Sequence, residues 1–118
     1  MNILANGFVV LVAVLHLYFL YLEMFMWTKP LGMKTFKNDA EFAKRSAVLA
    51  ANQGLYNGFL AAGLLWSVFA PEHMALPLKI FFLDCVIIAS LYGWYSVNKR
   101  IFFIQGIPAI VALLFCLI

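Results

Sequence analysis

Residues 3–27 read ILANGFVVLVAVLHLYFLYLEMFMW, twenty-five positions in which Glu23 is the one Asp, Glu, Lys or Arg. A helix that crosses a bilayer needs roughly 20 consecutive, mostly apolar residues. This run meets that length, and three more follow it at about 47–70, 74–97 and 101–118. The composition agrees, with 66% hydrophobic and 11% charged residues and a mean hydropathy of +0.99. Soluble domains carry about 25% charged residues, so 118 residues of this kind could not hide their apolar surface from water. Disorder, coiled coil, disulfide scaffold and ordinary soluble enzyme are all excluded. The expected fold is all-α: a polytopic membrane protein, one four-transmembrane-helix bundle spanning residues 1–118.

The first run does not read as a cleaved signal peptide. No Lys or Arg precedes it, it is too long for an h-region, and it lacks a small-residue cleavage site. It also holds His16 and Glu23.

The net charge is +3, but the basic residues fall between apolar runs, which reads as topology rather than as a nucleic-acid surface. Lys29, Lys34, Lys37, Lys44 and Arg45 lie between the first two runs, and Lys99 and Arg100 between the last two. The positive-inside rule puts both connections in the cytoplasm. Both termini and the turn at residues 71–77 then lie outside. Lys79 is the exception, expected to snorkel to the outer interface. Pro30 and Gly32 should break the chain after Trp27. Asn38, ahead of Asp39 and Glu41, supplies N-cap chemistry, so the second long helix should start near Asp39. Lys44 and Arg45 mark its entry, where cytoplasmic headgroups are often anionic.

Ionisable and amide side chains inside apolar runs are costly and are the first place to look for function. Here these are His16, Glu23, Asn52, Gln53, Asn57, Asp84 and Gln105. Under the expected topology, most lie in the cytoplasmic half of the membrane. His16 and Glu23 are seven apart and share a helix face, about 10 Å from each other along the axis. Gln53 and Asn57 form an i, i+4 pair. Ala50, Gly54, Gly58 and Ala62 form a neighbouring small-residue row that lets another helix approach closely. Asn52 and Tyr56 fall on the opposite face. Asp84, near the middle of the third run, requires protonation or a partner at that depth.

Plainer roles stand beside these. Asn, Gln and small residues often serve as packing contacts between helices. Glu23 could pair with Lys99, Arg100 or Arg45, and His16 could bond a carbonyl or Glu23. The aromatic residues serve mainly as lipid-facing surface and interfacial belt. Cys85 and Cys116 read as packing thiols, without metal-ligand spacing. No phosphate loop, metal cluster or nucleophile motif is present, so no metal or cofactor is expected.

Three blocks carry a family resemblance. One runs from His16-Leu17-Tyr18 through Tyr21-Leu22-Glu23-Met24-Phe25 to Trp27. A second is the stretch AANQGLYNGFLAAG at residues 50–63. The third combines Tyr92-Gly93, Lys99-Arg100, Gln105-Gly106 and Pro108-Ala109. Together these blocks resemble the bacterial membrane family called domain of unknown function 1304. The resemblance covers nearly the whole chain. It implies a small four-span protein of the bacterial cell membrane and brings no mechanism with it.

The leading functional expectation is binding or transport of a small amphipathic or apolar molecule. His16, Glu23, Asn52, Gln53, Tyr56, Asn57, Asp84 and Gln105 would form the ligand site, in a polar-lined cavity of the cytoplasmic half. Membrane lipids are the expected partners, with self-association through the Ala50/Gly54/Gly58/Ala62 face. Two rivals belong to other classes. A membrane-embedded isomerase would use His and carboxylates for acid–base work on a lipid-soluble substrate. A structural or regulatory subunit would use the same polar groups for packing. A small multidrug exporter inserting in both orientations is disfavoured by the strong charge bias and by Glu23 lying near the membrane edge.

Overall fold

The computed structural model describes residues 3–118. The chain is all-α, with no strand among the described residues. The elements are α1 (Ile3–Met24), α2 (Pro30–Phe36), α3 (Ala40–Phe69), α4 (Glu72–Ser96), a π-helical turn (Phe102–Gly106) and α5 (Ile107–Leu117). Two of them, α1 and α4, are long and apolar enough to cross a membrane. The chain divides into two compact units, one of residues up to Leu15 with Leu60–Ile118, the other His16–Phe59.

In the first unit a buried apolar core joins one face from each helical segment. Val9, Val12 and Ala13 come from α1, Ala61 and Leu64 from α3, Leu83 and Val86 from α4, and Ala109 and Ala112 from α5. The small residues at four of these nine positions allow close helix packing.

The corner between α3 and α4 is tighter than the sequence suggests. The turn is not residues 71–77: α4 already begins at Glu72, and Pro77 sits inside it. Pro71 precedes α4, and its carbonyl accepts the N–H groups of Met74 and Ala75 at 2.8 and 3.0 Å. Having no N–H, Pro71 cannot donate to the carbonyl four residues back, which is that of Ser67. Lys79 takes the vacant role, its Nζ donating to the Ser67 carbonyl at 2.9 Å. The expected snorkelling lysine is therefore wrong: Lys79 is 1% exposed. A cation at the C-terminal end of a helix also suits the helix dipole.

The π-helical turn has a similar cause. Pro108 cannot donate to the carbonyl of Ile104, so the regular ladder cannot run through this point. The widened turn absorbs the defect, with the Ile107 N–H bonding back to Phe102. Trp94 of α4 packs over it, 5.1 Å from the Phe102 ring centre.

In the second unit, Pro30 and Gly32 do not merely break the chain. Pro30 opens the short helix α2, the position where its missing N–H costs nothing and its fixed φ helps. Lys37 ends the helix in the left-handed region at φ 57°. Its N–H bonds the Met33 carbonyl, as does that of Asn38 at 2.9 Å, a Schellman-type end. The cap of α3 is Asp39 rather than Asn38: its Oδ1 accepts the Phe42 N–H at 2.8 Å.

Aromatic packing fixes α2 in place. Trp27 lies 4.9 Å from the Phe36 ring, and its Nε1 donates to Ser46 Oγ of α3 at 3.0 Å. Gly32 is buried against the backbone of the Met26–Trp27 turn. A methyl group there would run into the Met26 carbonyl oxygen and lie 3.0 Å from the Trp27 Cα.

Candidate functional site

The polar centre of the second unit forms where α1 meets α3. Glu23, in the last turn of α1, is 2% exposed. Each of its carboxylate oxygens accepts an amide N–H from α3. Asn57 Nδ2 donates to Oε1 at 2.5 Å, and Gln53 Nε2 donates to Oε2. The i, i+4 spacing of Gln53 and Asn57 places both amides on one strip of α3. Two donors thus meet two acceptor atoms, which is what a carboxylate surrounded by apolar side chains needs.

Close backbone approach makes this possible. A Cβ on Gly54 would come within 2.7 Å of Met24 Cγ, 3.1 Å of Glu23 Cβ and 3.3 Å of the Leu20 carbonyl oxygen. One on Gly58 would lie 2.7 Å from Leu20 Cδ1. The small-residue row therefore receives α1 of the same chain. Its two middle members are occupied in this way, while Ala62, at its end, is exposed.

The remaining candidate residues fall in different settings. His16 is 1% exposed and stands edge-on to Phe19, with ring centres 5.4 Å apart. Asn52 is exposed and turns back onto its own helix, donating to the Val48 carbonyl at 2.9 Å. Tyr56 is exposed beside Phe59. The expected opposite face of α3 is thus an outer surface with a self-satisfied amide, rather than part of the Glu23 cluster. Asp84 is half-buried on α4, and Gln105 is half-buried in the π-helical turn. Both belong to the first unit. Among the described residues, no group of three or more His, Cys, Asp or Glu side chains is arranged to hold a metal ion. Both cysteines are free thiols.

Two features escape the sequence reading. One is the Trp27–Ser46 hydrogen bond; an indole and a hydroxyl nineteen residues apart give no spacing signal. The other is the burial of Lys79. Its signal was available in Pro71, which deprives Ser67 of a partner.

An all-α chain with two helices fit to cross a membrane and a carboxylate–amide cluster defines a class rather than an activity. Residues 10–117 match the family described as protein of unknown function, DUF1304, and the chain belongs to that family. It is 35% identical over 116 residues to the uncharacterized protein YpaA of Lactococcus lactis subsp. lactis (strain IL1403), covering 97% of each chain. No solved structure matches.

Proposed function

We propose that this is a four-span membrane protein that binds a small amphipathic molecule at the Glu23 cluster, in the cytoplasmic half of the membrane. The observation that carries this reading is the pairing of a buried carboxylate with an exposed partner. Glu23 is almost inaccessible, but Gln53, which holds one of its oxygens, is exposed. A ligand with a polar or cationic head can reach Gln53, displace its amide and meet the carboxylate, while its apolar part lies along the exposed Leu55, Tyr56 and Phe59.

The four crossings draw support from surface chemistry. Besides α1 and α4, the 30-residue α3 exposes Val48, Leu49, Leu55, Phe59, Trp66 and Phe69. Apolar surface on that scale is foreign to a protein surrounded by water. The π-helical turn and α5 together supply the shorter fourth run, 102–117. With seven of eight basic residues in the two connections assigned to the cytoplasm, the C-terminus faces outward. Fusions to alkaline phosphatase, which is active only outside the cytoplasm, will be active at the C-terminus. A fusion inside residues 29–37 will be inactive. The reverse pattern rejects this orientation.

For the site itself, tetraphenylphosphonium serves as the probe, being cationic and apolar at once. Titrated into the detergent-solubilised protein, it will saturate the wild type. It will bind Glu23→Gln at least tenfold more weakly, because the neutral amide removes the attraction to a cation. Equal affinities would remove Glu23 from the binding site. That result would favour a second reading, a structural subunit, to which the satisfaction of both carboxylate oxygens by the chain's own amides already lends weight.

A further inference from the structure

We infer that α2 and its flanking residues form a preformed site for anionic phospholipid headgroups, selecting them over zwitterionic ones. This rests on the membrane reading above but concerns a different part of the second unit from Glu23. Lys29 and Lys37 bracket α2, Lys34 lies in its last turn, and Lys44 and Arg45 follow in the second turn of α3. All five are exposed. No carboxylate occurs from residue 24 to residue 38. Of the two acids that follow, Asp39 is engaged with the backbone N–H of Phe42, and Glu41 sits in the first turn of α3. Both therefore favour the positive end of that helix dipole. No ion pair joins the five basic groups to either acid among the described residues.

The patch is not a flexible basic tail. Gly32 seats α2 on the Met26 carbonyl, Trp27 packs at a tilt against the Phe36 ring, and Trp27 Nε1 ties the assembly to Ser46. The lysines therefore stand on a fixed support, and less ordering is needed when they engage a phosphate. Leu31, Phe36 and Phe42 stand exposed among them. Apolar anchors beside positive charge are the features of a helix lying in the membrane interface. The sequence position agrees. The apolar run of α1 ends just before the patch and that of α3 resumes just after it, so the patch lies at headgroup depth.

Charge complementarity chooses the occupant. A phosphatidylglycerol headgroup carries a net negative charge to these lysines, whereas phosphatidylcholine brings a choline that repels them. A lysine or arginine near an anionic membrane surface contributes about 1 kcal/mol. Three of them correspond to a factor on the order of 100.

Native mass spectrometry of the detergent-solubilised protein, titrated with phosphatidylglycerol or phosphatidylcholine, tests this. The wild type will retain phosphatidylglycerol in preference to phosphatidylcholine. The triple variant Lys29→Gln, Lys34→Gln, Lys37→Gln will retain phosphatidylglycerol on the order of 100-fold more weakly, with phosphatidylcholine retention unchanged. Equal retention of the two lipids by the wild type, or an unaltered preference in the variant, overturns the proposal. So does poly-glutamate that displaces phosphatidylglycerol at equal charge concentration, since the site would then be one for acidic protein partners. Carbonate extraction of both proteins from membranes separates the two levels. A chain that stays in the membrane without lipid preference rejects the headgroup site alone, and one that washes out rejects the membrane reading beneath it.

Discussion

Gly32→Ala will strip α2 from the end of α1. The added methyl group would run into the Met26 carbonyl oxygen, a backbone atom that already accepts the Lys29 N–H at 3.0 Å. No rotamer change relieves such a contact, so the backbone itself must move. Overpacking against side chains costs about 1–3 kcal/mol, and a backbone obstruction lies at or above the top of that range. About 3 kcal/mol of local destabilisation raises the population of the detached segment on the order of 100-fold. Trypsin cleavage after Lys34 and Lys37 reports this directly, because a protease needs its target extended. Gly7→Ala is the matched control, since a methyl group there meets nothing within 4 Å. Equal cleavage rates for Gly32→Ala and wild type would mean that α2 is not seated on the Met26 turn.

Glu23→Leu will destabilise the second unit more than any conservative change at the same position. It leaves the Gln53 and Asn57 amides facing an apolar side chain, and each unsatisfied buried group costs about 1–3 kcal/mol. Part of this is recovered by Gln53, which can turn outward, so the expected loss is about 2–4 kcal/mol. Glu23→Gln behaves differently. An amide has one acceptor and one donor, and one of the two facing amides can flip to present its oxygen. The expected cost is about 1 kcal/mol. Melting in detergent separates the two variants. If both melt with the wild type, the cluster does not hold α1 to α3.

The sequence makes the contents of this cluster legible because helical spacing is a local property. Seven residues from His16 to Glu23 and four from Gln53 to Asn57 define shared faces before any fold is known. The small-residue row likewise announces a close helix approach, but periodicity names no partner. Within this chain Gly54 and Gly58 receive Leu20, Glu23 and Met24, a partner that the spacing alone does not name. The place of α2 is hidden for a related reason. Pro30 and Gly32 are breakers by local propensity, yet Pro30 opens a helix and Gly32 is required by a backbone six residues away. Lys79 shows the opposite failure. Its charge points it outward by transfer energy alone, and only the carbonyl orphaned by Pro71 gives it a reason to stay inside.

That lysine also bears on the order in which the chain assembles. Lys79 and Ser67 are twelve residues apart, whereas Glu23 lies 30 and 34 residues from Gln53 and Asn57. Short loops close on the scale of tens of nanoseconds, and contacts between distant residues must first meet the larger entropy of closing a longer loop. The α3–α4 corner can therefore lock as soon as the first two turns of α4 exist. The carboxylate–amide contact, by contrast, waits for α3 to extend past Asn57 and return to α1. Helix α1 is thus made before α3 and α4 but is tied to α3 only after the α3–α4 corner can close.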